Sequence, residues 1–128
     1  DSKRMNMLLA VLEKRVGFKL AQKDVFLNIA GGLKVADPAL DLAVIAAILS
    51  SNVDMTVPQG TCLTGEIGLS GEIRPVNRME QRVREADKLG MSTIIVPAGS
   101  LKGVYTGKLN INVVEVGQVD EAFRHLFG

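Results

Sequence analysis

The chain has 128 residues, 47% of them apolar and 23% charged, which is typical of one soluble globular domain with a substantial core. Its formal net charge is +1, so nucleic-acid binding would need a local basic patch and could not rest on bulk charge. The single cysteine, Cys62, excludes an internal disulfide and a CxxC metal site. It fits a reducing compartment, and no apolar run reaches the roughly 18 residues that span a bilayer, so we expect a cytoplasmic protein.

The first part of the chain predicts a helix, a strand and a second helix. Apolar residues recur at helical spacing from Met5 to Val16, which indicates an amphipathic helix stopped by Gly17. Val25–Ala30 predicts a strand. Asp37-Pro38 then supplies the N-cap and the first residue of a helix. The run Leu40–Leu49 is apolar on nearly every face, so we expect this helix at the centre of the core.

A hairpin and a third helix follow. Thr61–Ile67 and Glu72–Val76 predict two strands joined by the glycine-rich turn Gly68–Gly71. Asn77 followed by Glu80 resembles a capping box, which predicts a helix that starts at this point. Its inward-facing residues are expected to be Met79, Val83 and Ala86.

The end of the chain predicts two more strands and a final helix. The strands are Thr93–Val96 and Ile111–Val116, and the helix is Asp120–Phe127. Together the elements predict an α/β (α+β) domain in which helices pack on a mixed sheet. We expect a single domain over residues 1–128, taken from the C-terminal part of a longer protein.

Three patterns that could carry chemistry are better explained by structure. Gly103–Leu109 resembles a phosphate-binding loop, but its spacer is one residue short and Leu follows the Lys, so we interpret it as a turn. His125 falls in the last turn of the final helix, where a cation suits the helix dipole. Glu66 and Glu72 lie six residues apart across the hairpin, and we interpret them as edge charges or partners for Arg74.

Two stretches resemble the proteolytic domain of Lon proteases. In that family a Gly-Pro-Ser-Ala-Gly segment opens a buried helix and carries the nucleophilic Ser. A hairpin of the form Thr-Gly-Glu-Ile-x-Leu-x-Gly-x-Val-x-Pro-Ile then leads into Gly-Gly-Leu-Lys, whose Lys is the general base. Here Asp37–Asp41 stands at the first place, and Thr64–Val76 followed by Asn77–Glu80 stands at the second. The resemblance implies a Lon-like fold.

The residues of the proteolytic dyad are absent from the matching positions. Ala39 stands at the place of the nucleophile and Glu80 at the place of the base. No Ser or Thr lies between 36 and 49, and no Lys lies between 35 and 87. Because a Ser–Lys dyad needs a hydroxyl and a desolvated amine, we expect no proteolysis by this mechanism. A residual hydrolase that uses Ser70 is an alternative.

A second resemblance covers almost the whole chain. It is carried by five stretches, of which the last is the most specific: Asp1–Arg15, Asn28–Lys34, Asp37–Ala39, Asp41–Ala43 and Gly71–Val76. In these stretches the chain is similar to the C-terminal Lon-like domain of the RadA (Sms) family of bacterial DNA repair proteins. The resemblance implies a scaffold and DNA-contact domain of a hexameric, ATP-driven motor that promotes branch migration in homologous recombination, with a recombinase as a further partner. It also implies that ATP, Mg and Zn belong to parts of the full-length protein outside these residues, and that this chain binds no cofactor.

Basic residues supply the candidates for contact with single-stranded or branched DNA. The main set lies around the hairpin exit and the following helix, with one Lys from the earlier stretch: Arg74, Arg78, Arg82, Arg84, Lys88 and Lys34. Arg78 and Arg82 are expected to share a helix face. A second set is Lys3, Arg4, Lys14, Arg15 and Lys19.

Two alternatives to DNA contact stay open. Acidic residues interleave with the main basic set, so this helix face could be a solvated surface with local ion pairs. The chain could also be an oligomerisation module without DNA contact. No aromatic interleaving supports stacking on single strands.

Overall fold

The computed structural model describes residues 2–16, 38–53, 56–104 and 107–128, which form an α/β fold. The four helices are α1 (Ser2–Val16), α2 (Asp41–Val53), α3 (Met79–Lys88) and α4 (Val119–Phe127), and a 3-10 turn (Pro38–Leu40) precedes α2. The strands are β1 (Thr61–Leu63), β2 (Glu66–Ile67), β3 (Ile73–Arg74), β4 (Thr93–Pro97) and β5 (Asn112–Val116). The expected fold class is confirmed. The predicted strand at 25–30 and the predicted N-cap at Asp37 lie outside the described residues.

A parallel sheet lies between the helices of the domain. β1, β4 and β5 pair in the order β1-β4-β5, and both pairings are parallel. Side chains alternate between the two faces of a strand, so Ile95 of β4 points to one side and Ile94 and Val96 point to the other. Both faces of a parallel sheet have to be covered, and here helices cover both.

Two apolar clusters lie on the two faces of this sheet. The larger, named the α2 core, unites α1, α2, α4 and the β2–β3 hairpin around residues such as Leu12, Ile45 and Ile95. The smaller, named the α3 core, lies under α3 and consists of Met79, Val83, Ala86, Ile94, Val96 and Ile111. Each fully buried Leu, Ile or Val contributes about 1.5–3 kcal/mol of transfer free energy, so the helices are held mainly by these clusters.

Helix α2 is the centre of the larger core, as its all-round apolar pattern predicts. Ala47 alone is exposed among the described side chains of this helix. The charged residue of the helix, Asp41, is fully buried at 0% exposure. Its carboxylate accepts hydrogen bonds from Arg4 Nε at 2.7 Å, from Arg4 Nη2, and from the Ile67 backbone N–H at 3.0 Å. These bonds join α1, α2 and the hairpin at one point.

The single strand predicted over Thr61–Ile67 is wrong, because the chain changes partners at Gly65. Thr64 still donates its N–H to Ile95 O at 3.1 Å, but Gly65 donates to Ala39 O at 3.1 Å and accepts from Leu42 N at 3.2 Å. A Cβ on Gly65 would lie 2.7 Å from the Ile73 side chain. Only glycine fits this bend, so β1 stays in the parallel sheet and β2 turns into the hairpin.

The predicted hairpin is confirmed in its turn and pairing. Ile67 pairs with Ile73 and Glu66 with Arg74 in antiparallel register. Gly71 has φ 79° and donates its N–H to Gly68 O at 3.0 Å, which closes the predicted glycine-rich turn.

Replacing Arg4 by Met should destabilise the fold strongly. The change keeps the apolar stem but leaves the buried Asp41 carboxylate without its cation, a loss of about 3–5 kcal/mol for a buried pair. We expect the lower half of that range because the Arg4 side chain is 22% exposed. Urea unfolding followed by far-UV circular dichroism measures the change.

Lys14→Met is the matched control, because Lys14 is an exposed cation on the same helix. It should change the free energy of unfolding by less than about 0.5 kcal/mol. Equal losses in the two variants would show that the Asp41 pair has no special role.

Candidate nucleic-acid interface

Helix α3 and its N-cap residue contain four of the six main DNA-contact candidates, Arg78, Arg82, Arg84 and Lys88. Met79, Val83 and Ala86 are buried against the sheet, as the sequence predicts. The opposite side of the helix borders a shallow, open depression of about 470 Å³. Its lining residues, named here the α3 basic face, are Arg78, Glu80, Gln81, Arg84, Glu85 and Lys88.

Ion pairing decides which cations of the α3 basic face are available to a ligand. Arg84 Nη2 lies 2.9 Å from Glu80 Oε1, and both side chains are about half exposed, at 53% and 52%. Such an exposed i,i+4 pair contributes only about 0.3–0.5 kcal/mol, so a phosphate can compete for Arg84. The side chains of Arg78 and Lys88 make no hydrogen bond or ion pair within the described ranges.

The capping box predicted from Asn77 and Glu80 is wrong. Arg78 is the N-cap residue and has left-handed backbone angles, φ 56° and ψ 39°, so helical geometry begins one residue later than the box requires. Asn77 instead accepts hydrogen bonds from Arg82, from Nε to its backbone O at 2.9 Å and from Nη2 to its Oδ1 at 3.3 Å. Arg82 therefore forms hydrogen bonds at the N-terminal end of α3. Its side chain does not line the depression together with Arg78.

Arg74 lies at the exit of the hairpin and is paired. Its Nη2 and Nε lie 2.9 and 3.3 Å from Glu72 Oε2, which confirms the predicted partnership, and Glu72 Oε1 accepts the Ser70 N–H at 3.1 Å. The hydrogen bond from Arg74 is the main reason that the pKa of Glu72 lies below its ordinary value. The carboxylate packs over the turn, where a Cβ on Gly68 would overlap it.

The two positions matched to the proteolytic dyad have different surroundings. Ala39 is buried in the 3-10 turn, and its carbonyl accepts the Gly65 N–H at 3.1 Å. Glu80 is half exposed in the first turn of α3 and pairs with Arg84. One position is therefore enclosed by backbone, while the other faces solvent in an ion pair.

The remaining basic candidates are dispersed. Lys34 lies outside the described residues. Lys3 and Lys14 are exposed on α1, which packs on the opposite side of the sheet from α3. Arg4 is bound to Asp41, and the hydrogen bond between them raises the pKa of Arg4 further above its ordinary value. Of the basic candidates that the structure describes, it thus brings Arg78, Arg84 and Lys88 together.

Groups that often mark metal or redox sites are scattered. Among the described residues, no group of three or more His, Cys, Asp or Glu side chains is placed to hold a metal ion. His125 is exposed in the last turn of α4, as predicted. Cys62 is half-buried, and its burial raises the pKa of the thiol. No helix in the described part of the chain is long and apolar enough to cross a membrane.

The structural roles of two carboxylates, Asp41 and Asp87, were not predicted from the sequence. Asp41 has a usable signal, because a charge inside an apolar helix has to be bonded when it is buried. Asp87 has none, since it lies in a helix rich in surface charges. Its Oδ1 accepts the backbone N–H groups of Asn110 and Ile111, both at 3.0 Å.

Comparisons with known proteins point to two descriptions. The family model described as subunit ChlI of Mg-chelatase matches residues 2–100. Proteins named DNA repair protein RadA match nearly all of the chain: 47% identity over 100% of it in Bacillus subtilis (strain 168), 46% over 99% in Streptococcus pneumoniae (strain ATCC BAA-255 / R6), and 43% over 98% in Chlamydia trachomatis serovar D. The chain spans 28%, 30% and 28% of these proteins, less than a third of each.

Replacing Arg78 by Gly should stabilise the fold. A left-handed backbone costs a residue with a side chain about 1–2 kcal/mol, and glycine adopts it without that cost. After the greater flexibility of glycine in the unfolded chain is subtracted, we expect a gain of about 0.5–1 kcal/mol in urea unfolding. Arg84→Gly, inside the same helix, should instead destabilise by about 1 kcal/mol, and a loss at both positions would contradict the strain at Arg78.

Replacing Arg74 by Ala should raise the pKa of Glu72 toward its ordinary value of 4.5. A carboxylate with a lowered folded-state pKa contributes stability above its unfolded pKa and loses it as the pH falls through the folded pKa. The Arg74→Ala variant should therefore lose less stability on acidification than the parent chain. A carboxyl NMR titration measures the pKa directly. Arg124→Ala, in α4, should leave the pKa of Glu72 unchanged.

Proposed function

Since the chain belongs to the family described as subunit ChlI of Mg-chelatase and is homologous over its whole length to RadA proteins, we propose that it acts in DNA repair. Within that role it is a non-proteolytic, Lon-like scaffold and DNA-contact domain of a RadA-type recombination protein. The observation that carries this proposal is the identity of 43–47% to three RadA proteins over 98–100% of the chain. That identity favours DNA repair over a chelatase role, because the chelatase description rests on a match that ends at residue 100.

The α3 basic face supports the DNA contact. Arg78 and Lys88 stand at the two ends of α3 and are separated by about 15 Å of helix. One strand of duplex DNA carries a phosphate about every 3.4 Å, so this span corresponds to about four phosphates. An Arg fork and a Lys ammonium both bind phosphate, and neither has to give up a described partner to do so. Arg84 lies between them and can exchange Glu80 for a phosphate.

The backbone conformation of Arg78 supports a binding role for its side chain. The family resembled by the hairpin has Gly-Gly-Leu-Lys after it, and Arg78 stands at the second glycine. The structure retains the backbone that glycine favours, with φ 56°. An Arg in that conformation costs stability, and strained positions tend to occur where a side chain is needed for binding.

The absence of peptidase activity is part of the proposal. Ala39 offers no nucleophile, and Glu80 is a solvent-exposed carboxylate bound to Arg84. The alternative nucleophile, Ser70, has Glu72 as a neighbouring carboxylate. Glu72 is a poor general base because Arg74 lowers its pKa. These contacts make hydrolysis through Ser70 the weaker proposal.

The activities of the longer protein lie outside these residues in our proposal. A zinc finger and an ATPase core that uses ATP and Mg would be joined to this domain. The domain would hold the subunits in a hexameric ring that promotes branch migration in the cytoplasm, with a recombinase as a partner. An oligomerisation role without DNA contact is the main alternative for the domain itself.

The double variant Arg78→Glu/Lys88→Glu should bind DNA more weakly. Each reversal replaces a phosphate ligand by a repelling charge, so we expect at least about a 10-fold loss of affinity at low salt. The slope of log K against log salt concentration should fall by about 1 to 2. Fluorescence anisotropy of the 128-residue chain with labelled single-stranded and branched DNA at several salt concentrations measures both quantities.

Arg124→Glu, compared with Arg78→Glu alone, is the matched control. It makes the same change of charge on an exposed residue of α4, which covers the other side of the sheet. It should reduce affinity by less than about 3-fold. Equal losses would reduce the effect to net charge, and no salt-dependent binding by the parent chain would contradict the DNA contact. Sedimentation with and without DNA then tests the pure oligomerisation role.

A further inference from the structure

Two described residues of the connection between β4 and β5 pack on the same side of the sheet as α3. Leu101 and Leu109, near the two ends of this connection, are partly buried and pack against the α3 core. That core includes Met79 and Val83 of α3, so Leu101 and Leu109 pack against the same apolar cluster as the helix. These two described parts of the connection therefore lie on the α3 side of the sheet.

Asp87 fixes the end of this connection. One of its carboxylate oxygens accepts two backbone N–H groups, those of Asn110 and Ile111, both at 3.0 Å. Asp87 lies in the last turn of α3, so these bonds attach the connection to the C-terminal end of the helix. A carboxylate that holds two N–H groups is a strong local anchor because its bonds are charge-assisted.

Two exposed lysines adjoin the buried leucines. Lys102 follows Leu101 and Lys108 precedes Leu109, and both lysine side chains are exposed. Neither makes an ion pair or a side-chain hydrogen bond in the part of the chain that the structure describes. Leu101 and Leu109 pack against the α3 core, so the adjoining lysines lie on the same side of the sheet as α3.

We propose that Lys102 and Lys108 extend the α3 basic face into one phosphate-binding surface, and that Asp87 is the positioning residue that holds this extension in place. The inference rests on the proposed function, since the ligand is the DNA backbone in both. With the two lysines, the binding surface is wider than one helix, and a DNA strand bound along α3 has cations beside it. Lysine suits such a flank, because its ammonium acts as a point charge that needs no fixed geometry.

Charge reversal of the two lysines tests the extension. Lys102→Glu/Lys108→Glu should weaken binding of a labelled single-stranded oligonucleotide by the 128-residue chain about 5- to 10-fold and lower the salt slope by about 1 to 2. Far-UV circular dichroism should show an unchanged thermal transition, because both side chains are exposed. An unchanged affinity would overturn the extension.

Asp87 can be tested by variants for which positioning and simple charge predict opposite results. Asp87→Ala removes a negative charge, which by itself would tighten DNA binding, but it also releases the connection. We expect weaker binding, by about 3- to 10-fold. Asp87→Asn removes the same charge and keeps an oxygen acceptor for the two N–H groups, so it should bind at least as tightly as the parent. Glu85→Ala is the charge control and should bind more tightly.

The outcomes separate this inference from the proposed function. If Arg78→Glu/Lys88→Glu weakens binding and Lys102→Glu/Lys108→Glu does not, the extension is wrong and the DNA-contact function stands. If neither weakens binding, both are wrong. If Asp87→Ala tightens binding as Glu85→Ala does, the positioning role of Asp87 is wrong.

Discussion

The buried carboxylate of Asp41 is the constraint on which the arrangement of the larger core depends. A charged group at 0% exposure is tolerated only when its oxygens are bonded, and here Arg4 of α1 and the Ile67 N–H of the hairpin supply the bonds. Glu66 adds a second carboxylate 3.6 Å from Arg4 Nη2. Apolar packing alone is non-directional and would let α1 slide along α2. The polar contact fixes the register of the two helices and, through Ile67, the position of the hairpin against them.

Backbone hydrogen bonds connect the hairpin, and so the Asp41 contact, to the C-terminal part of the fold. Ile73 donates its N–H to Gly117 O at 2.9 Å, and Val119 donates to Gly71 O at 3.0 Å, so the hairpin also holds the junction between β5 and α4. The exit of the same hairpin leads into α3 on the other side of the sheet. Stability is thereby concentrated in the α2 core, while α3 needs only one apolar stripe and keeps its opposite side for charge. This separation explains how a face with little intrinsic stability can be held in a defined place.

Sequence patterns correctly predicted the features that depend on one local pattern of residues. All-round apolarity identified α2, the glycine-rich turn identified the hairpin, and the inward stripe of α3 was correct to the residue. The failures occur where two elements compete for the same residues. Gly65 leaves β4 because the 3-10 turn offers hydrogen bonds, and Asn77 is not an N-cap because Arg78 takes left-handed angles. The partners of Gly65 are distant in sequence, so no pattern of neighbouring residues shows that choice. The contact of Asn77 with Arg82 is near in sequence but is not part of the capping-box pattern. Arg82 was grouped with Arg78 by spacing alone, and its contact with Asn77 separates them.

The α3 basic face also has the surroundings that phosphate binding requires and that a catalytic base does not. A lysine base has to be desolvated so that it is neutral near pH 7, which requires an enclosed site. At the position matched to that base, Glu80 is 52% exposed and forms an ion pair with Arg84. Cations that bind phosphate work well when they are exposed and spread along the ligand, as Arg78 and Lys88 are. At the backbone segment that would carry a buried amine in the resembled protease, this chain has a solvent-exposed arginine two residues earlier. Under the proposed function, contact with phosphate at this place requires only a charged side chain in a backbone conformation that glycine would occupy at lower cost.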